Sequence, residues 1–150
     1  DTRDDNKMIA ERLQAMWKKN LGVDLRAQNE DWKVYLNRLK SDVPAMFRLG
    51  WGADYPDPDN FLNLFTSYSG NNHTQWKNKE YDALIEKAAS ESAMPKRLAL
   101  YKKAQVLLTE KDTVIIPLFI DALNVLVSPT VQGLELNAMD HLELKKVSIN

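Results

Sequence analysis

Three carboxylates, Asp54, Asp57 and Asp59, lie close together in a loop that also carries Trp51 and Tyr55. Carboxylates can bind a hard cation, act as an acid/base pair on a glycosidic bond, or accept hydrogen bonds from an ammonium group. A calcium site is disfavoured because the oxygen donors do not recur at alternate positions before a glycine and a distant glutamate. Asp54 with Asp57 would be the acid/base pair, but no catalytic constellation accompanies them. Asp54 is therefore either an acceptor for a ligand ammonium group or a turn residue that hydrogen-bonds its own loop.

Asp54 is the strongest candidate because of the elements predicted around it. Residues 45–51 form a short apolar segment typical of a strand, and Pro58 suits the first turn of a following helix. Ligands of open α/β sheets bind where strands end. Gly50 and Gly52 would let the backbone approach a ligand closely. We expect Asp54 to meet an ammonium group in partly dry, aromatic surroundings that strengthen a charge-assisted hydrogen bond.

The neighbours of this carboxylate have simpler possible roles. Asp57 and Asp59 suit the cap and first turn of the predicted helix, where acidic groups stabilise the helix dipole. Trp51 and Tyr55 either contact a ligand or pack in the core, and Trp51 is the better ligand candidate. Arg48 either binds a ligand carboxylate or pairs with an internal acid, and its position leaves both roles open.

Composition excludes several classes of function. The chain of 150 residues is 44% hydrophobic and 27% charged, which is typical of one globular domain, and its net charge of −1 disfavours nucleic-acid binding. Without cysteine it has no disulfide and no thiol chemistry. Neither His73 nor His141 has other ligands at metal-binding spacing. We therefore predict no catalytic residues, no metal and no cofactor.

Hydrophobic periodicity predicts alternating helices and strands. Amphipathic helices are predicted up to Leu21–Gly22, after a cap at Asn29 or Asp31, and as a hairpin of two helices that starts at Asn78. The inward positions predicted for this hairpin are Tyr81, Leu84, Ile85 and Ala88, then Leu98, Tyr101, Ala104, Gln105 and Leu108. Residues 66–74 are predicted to be a polar connection that borders the site.

Strands are predicted at 23–27, at 114–120, at 123–127 and in the tail at 142–149. The segment 114–120 is apolar throughout, which is typical of a strand buried on both faces. Pro117 would then lie at a bulge or at a sheet edge, because proline donates no ladder hydrogen bond.

The order R-x-G-W-x-x-D-Y-x-D-P-x-x-F-L, from Arg48 to Leu62, closely resembles the oligopeptide- and dipeptide-binding proteins of bacterial ABC importers. Residues 10–39, 76–88 and 100–119 resemble the same family in the same order. The resemblance implies an α/β fold: part of one lobe of a two-lobed, type II periplasmic-binding-protein fold, with a mixed sheet flanked by helices. It also implies a fragment, in which residues 1–133 form the later part of the second lobe and residues 134–150 a tail that returns to a missing first lobe.

The resemblance implies that the protein captures short peptides between its lobes for import and is not an enzyme. The family's acid that receives the peptide α-amino group falls on Asp54, and Trp51, Arg48, Gly52 and Tyr55 complete the implied ligand-binding set. Expected partners are a short peptide, the importer's membrane subunits and the first lobe, in a periplasmic or cell-surface location. Two alternatives remain open: a non-peptide ligand such as a metal chelate or a sugar, and a lobe without ligand that forms a homodimer through exposed strands.

Overall fold

The computed structural model describes residues 4–122, 124–137, 139 and 141–150, and it divides into two compact units, Asp1–Arg48 and Leu49–Asn150. The first unit contains helices α1 (Asp4–Leu21) and α2 (Trp32–Ser41). The second contains α3 (Asp59–Leu62), α4 (Lys79–Ser90), α5 (Met94–Val106), and strands β1 (Val131–Gln132) and β2 (Ser148–Ile149), with short 3₁₀ turns at Asn63–Phe65 and Leu144–Lys146. Among the described residues, no helix has the length and apolar character needed to cross a membrane.

Local capping signals set the helix ends of the first unit, as predicted. Gly22 has a left-handed φ of 67° and donates its N–H to the Lys18 carbonyl at 3.2 Å, which ends α1. The side chain of Asp31 accepts the Lys33 N–H at 2.9 Å and starts α2. Both helix boundaries are therefore confirmed.

The core of the second unit is the predicted helical hairpin. Asn78 caps α4 by accepting the N–H groups of Glu80 and Tyr81 at 2.9 and 3.1 Å. Helix α5 packs against α4 and continues into a π-helical turn at Leu107–Lys111. The buried side chains are Leu62, Tyr81, Ile85, Ala88, Tyr101, Ala104, Leu107 and Leu108. The hairpin is confirmed, together with most of its predicted inward positions.

Two predicted inward positions of α5 are wrong. Leu98 is 47% exposed and Gln105 is exposed, whereas Leu100 packs against the core and Leu107 is 4% exposed. The sequence of α5 carries two overlapping stripes at helical spacing, one through Leu98 and one through Leu100. Packing against α4 selects the second stripe, and the sequence of α5 alone cannot make this choice.

Most predicted strands are also wrong for the described residues. Segments 23–27, 45–51 and 114–120 have no strand pairing, and the prediction at 123–127 begins at a residue outside the described ones, with no regular structure at 124–127. A strand needs a hydrogen-bonded neighbour, and none of the described segments lies beside these residues as a partner. The apolar side chains at 116, 118, 119 and 120 are consequently 46–97% exposed instead of buried on two faces.

One small antiparallel sheet is present in the described part of the chain. Val131 lies opposite Ile149 and Gln132 opposite Ser148, so the predicted tail strand forms only at its end and pairs within the chain. Gly133 follows β1 with φ at 76°, and a Cβ atom there would collide with the Lys146 carbonyl. Only glycine therefore fits this turn. The wider mixed sheet is not formed within the described residues.

Candidate functional site

Asp54 lies exposed in the loop before α3, at the rim of an open cavity of about 150 Å³. Its carboxylate has no hydrogen-bond or ion-pair partner among the described residues. The cavity is lined by Trp51, Asp54, Tyr55, Asp59, Asn60, Asn63, Leu64, Ser69 and Asn71. This carboxylate can therefore accept hydrogen bonds from a group outside the chain.

The two aromatic residues beside Asp54 are tied to α3 by hydrogen bonds. The Trp51 indole donates to Asn60 Oδ1 at 2.8 Å, and the Tyr55 hydroxyl donates to Asp59 Oδ2 at 2.9 Å. The two residues remain 41% and 44% exposed. Each ring thus has a tethered polar end and an apolar face that is open to solvent, an arrangement suited to ligand contact.

Asp57 has an internal role. Its Oδ1 accepts the Asp59 N–H at 2.9 Å, and its two oxygens bind the Arg97 guanidinium at 2.6 and 3.0 Å. Arg97 also donates to the Ala88 carbonyl at 3.2 Å and to the Tyr101 hydroxyl at 3.0 Å. Pro58, not Asp57, occupies the N-cap position of α3, but Asp57 accepts a backbone N–H at the start of this helix and its side chain also fastens the loop to α5.

Asp59 occupies the first turn of α3, as predicted, and lies between two tyrosines. Its Oδ1 accepts the Tyr101 hydroxyl at 3.2 Å and its Oδ2 accepts the hydroxyl of Tyr55. Burial raises the pKa of Tyr101, and the hydrogen bond to Asp59 raises the pKa of Tyr55, so both phenols stay protonated and donate at neutral pH. Neutral donors leave the charge of Asp59 uncompensated.

The charge around the cavity follows from these contacts. Arg97 compensates Asp57, whereas no Lys or Arg is among the described residues that line the cavity with Asp54 and Asp59. Two carboxylates at one open cavity repel each other and attract a cation. The arrangement fits a cationic group, such as an ammonium, better than an anion.

Part of the cavity lining comes from the polar connection after α3, which Asn72 organises. Its Nδ2 donates to the carbonyls of Phe65, Thr66 and Trp76 at 2.9–3.2 Å, and its Oδ1 accepts the Thr74 hydroxyl at 2.6 Å. Ser69 and Asn71, within this connection, line the cavity. The predicted polar connection at 66–74 therefore borders the cavity that holds Asp54.

Two other predicted ligand-binding residues, Gly52 and Arg48, are not among the residues that line the cavity. A Cβ atom added at Gly52 would meet nothing within 4 Å, so no close approach by this chain requires the glycine. Arg48 belongs to the first unit, where its carbonyl accepts the Tyr35 hydroxyl at 2.6 Å.

Trp76 packs edge-on against Tyr81, with 5.0 Å between the ring centroids, which confirms its predicted packing role. The described residues include no cluster of three His, Cys, Asp or Glu side chains suited to a metal.

Comparison with known proteins identifies the family. The model of bacterial extracellular solute-binding proteins, family 5 (middle part), matches residues 1–73. The oligopeptide-binding protein OppA of Bacillus subtilis is 43% identical over 106 residues, which cover 70% of this chain and 19% of the relative. The chain belongs to the family 5 extracellular solute-binding proteins.

Two further relatives extend this similarity along the family 5 chain. The periplasmic oligopeptide-binding protein OppA of Salmonella typhimurium is 36% identical over 133 residues, which cover 89% of this chain and 24% of the relative. The structure of Haemophilus influenzae OppA in complex with RPPGFSPFR superposes with a TM-score of 0.84 at 32% identity, over 99% of this chain and 29% of that one. The fold is therefore part of a type II periplasmic-binding-protein lobe.

The chain spans between about a fifth and a quarter of the length of the curated relatives named above. These relatives are named as binding proteins, not as enzymes, in agreement with the prediction from the sequence. One of them is named periplasmic, which supports an extracytoplasmic location.

Sequence reasoning missed three residues that build the site in this family 5 chain. Arg97 is 40 residues from Asp57, and Asn72 resembles any other polar loop residue until its hydrogen bonds are seen. Asn60 directly follows Asp59 in the first turn of α3. Because it is so close to the acidic loop in sequence, it could have been named as a candidate site residue. For Arg97 and Asn72 the sequence carries no comparable signal.

Proposed function

We propose that this chain is part of a substrate-binding protein that captures a short peptide between two lobes and delivers it to a membrane importer of the ABC type. The family and the peptide ligands in the names of its relatives support this function. The observation that carries it is the exposed carboxylate of Asp54, which has no partner among the described residues, at a cavity with no Lys or Arg in its described lining.

In this proposal the α-ammonium of the peptide donates hydrogen bonds to Asp54, and Asp59 adds negative potential. Trp51 and Tyr55 pack on the first residues of the peptide, and the open space at Gly52 admits its backbone. Main-chain pairing with an extended peptide would provide affinity that depends little on side chains. For Arg48 we keep two roles, a contact with a ligand carboxylate or a pairing with an internal acid.

The proposed protein is longer than this chain. Residues 1–133 would form the later part of the second lobe, and residues 134–150 would return to the first lobe. Closure of the lobes would exclude water and strengthen the contact between Asp54 and the ammonium group. The location would be periplasmic or anchored at the cell surface.

The first test is calorimetry on the full-length protein with a tripeptide and its N-acetylated form. Asp54→Asn should weaken tripeptide binding about ten- to a hundredfold, because a hydrogen bond between charged groups is lost. Acetylation should have a similar effect on the wild type and little further effect on the variant. Asp121→Asn is the matched control, because Asp121 is exposed and does not line the cavity. Equal binding by Asp54→Asn would refute the proposal.

The second test compares the 150-residue chain with the full-length protein. If the peptide is enclosed by two lobes, the shorter chain should bind it far more weakly. Equal affinities would show that one lobe suffices. Mass spectrometry of ligands that co-purify with the full-length protein would reveal a metal chelate or sugar in place of a peptide.

One observation favours a second candidate, a self-associating module. Apolar side chains between residues 116 and 127 are unusually exposed, among them Ile120 at 97% and Leu126 at 102%. Contiguous exposed apolar surface promotes association. Light scattering of the 150-residue chain over a concentration series would separate a dimer from a monomer.

A further inference from the structure

Asn60 is a buried polar residue in the wall of the Asp54 cavity. It lies in α3, is only 7% exposed, and accepts the Trp51 indole N–H through Oδ1 at 2.8 Å. An indole nitrogen can only donate a hydrogen bond, so the oxygen of the Asn60 amide must face it. The orientation of the amide is therefore fixed by chemistry, and Nδ2 lies on the side away from Trp51.

The Nδ2 group of Asn60 has no hydrogen-bond acceptor among the described residues. The atom itself is not among the fully buried polar atoms without a partner, although the residue as a whole is 7% exposed. Because Asn60 borders the cavity, an acceptor can reach Nδ2 from the cavity side. The cavity thus has one open donor, Nδ2 of Asn60, and one exposed acceptor, the carboxylate of Asp54.

We propose that Asn60 is a ligand-binding residue that donates from Nδ2 to the first carbonyl oxygen of the bound peptide. This assignment rests on the proposed function, in which Asp54 accepts the ammonium group of the same residue. In an α-amino acyl group a cationic donor and a neutral acceptor lie on neighbouring carbon atoms. An acceptor and a donor that line the same cavity match that pair.

The pairing gives the site a selectivity that a lone carboxylate lacks. Asp54 alone would accept any ammonium group, including that of a simple alkylamine. Asn60 adds a hydrogen bond to a carbonyl directly next to the amine-bearing carbon, and a ligand without this carbonyl forgoes that hydrogen bond. Trp51 acts here as a positioning residue, because its indole holds the amide of Asn60 in one orientation.

The test measures tripeptide binding to the full-length protein with thioamide substitutions. Sulfur replaces oxygen in either the first or the second peptide bond, and it accepts hydrogen bonds more weakly. Because sulfur is also larger than oxygen, the second substitution controls for the change in size. In the wild type the first substitution should weaken binding about two- to tenfold more than the second. In Asn60→Leu and in Asn60→Asp this ratio should fall to about one.

The two variants protect the test against a folding defect. Asn60→Leu removes both polar groups, whereas Asn60→Asp keeps an acceptor for the Trp51 indole, replaces the donor with a second acceptor and adds one negative charge. Because the ratio compares two ligands on the same variant, a general loss of affinity cancels. An unchanged ratio in either folded variant, or a ratio of one in the wild type, would overturn the assignment.

The outcomes also separate this assignment from the proposed function. If the wild type binds no peptide, both are wrong. If Asp54→Asn weakens peptide binding but the thioamide ratio does not depend on Asn60, only the role of Asn60 is wrong.

Discussion

The helical hairpin α4–α5 and the segment 114–127 are both rich in apolar residues. The hairpin buries them, whereas in the segment Val114 and Ile115 pack against the hairpin core and the described apolar residues after them are exposed. Leu108 is 1% exposed, whereas Leu126 in the segment is 102% exposed. The helices satisfy their backbone groups internally and find a packing partner close by in the chain. The segment would need neighbouring strands, and the described residues provide none. Apolar composition therefore indicates a need for a partner, not the presence of one.

The largest expected effect compares one leucine from each region. Leu108→Ala should lower the free energy of unfolding by about 2–5 kcal/mol, because it leaves a cavity in the core. Leu126→Ala should stay within about 0.5 kcal/mol, because its side chain packs on nothing. Urea unfolding of the 150-residue chain measures both. Similar losses for both variants would mean that the segment is packed in solution, and the comparison would fail.

The next effect tests the contact that fastens the Asp54 loop to the hairpin. Arg97→Gln should lower the free energy of unfolding measurably, because the two charge-assisted hydrogen bonds of the guanidinium to Asp57 are lost. Arg26→Gln, an exposed arginine, is the control and should have little effect. In a double-mutant cycle, Arg97→Gln with Asp57→Asn should cost less than the sum of the single changes. Additive costs would show that the pair contributes nothing.

A smaller effect concerns Tyr81, which donates to the Leu62 carbonyl at 2.6 Å. Tyr81→Phe should cost about 1 kcal/mol at pH 7, because the carbonyl loses its donor.

Tyr81→Phe should also change how the free energy of unfolding depends on pH. Burial raises the pKa of Tyr81 above its ordinary value of 10, so the folded state holds this proton where the unfolded state releases it. Stability from this group is complete below pH 10 and falls as the pH rises above it. Wild-type stability should therefore fall more steeply above pH 10 than that of Tyr81→Phe. Equal slopes in urea unfolding at pH 9 to 11 would contradict the burial of this hydroxyl.

The smallest expected effect on stability comes from changing two exposed residues of the segment 114–127. Ile120→Ser combined with Leu126→Ser should change the free energy of unfolding by less than about 0.5 kcal/mol. The double variant should reduce any self-association of the 150-residue chain, because it removes exposed apolar surface. Light scattering gives the association state. A wild-type chain that stays monomeric at every concentration would show that this surface does not drive association.

Part of the fold could be predicted because its determinants are local. Gly22, Asp31 and Asn78 end or start helices through hydrogen bonds that span four residues at most. The site was predictable in the same way where its residues are neighbours in sequence. Asp54, Trp51 and Tyr55 line one cavity because they lie within five positions of each other.

Other features depend on distant partners and could not be predicted. The apolar run at 114–120 looked like a doubly buried strand, but pairing depends on segments elsewhere in the chain. The inward stripe of α5 was chosen by α4, and the ion pair of Asp57 with Arg97 crosses 40 residues. The interior wall formed by Asn60 was missed because its burial depends on how α3 packs.

The sequence by itself determined the family, the helix boundaries and the acidic, aromatic loop, since motif order and capping are properties of neighbouring residues. Tertiary structure alone decided which carboxylate stays open. Asp57 meets Arg97 and Asp59 meets two tyrosines, whereas Asp54 keeps its charge exposed at the cavity. Three acids of the same type within six positions differ because electrostatic partners are set by distance in space, which the order of residues does not specify.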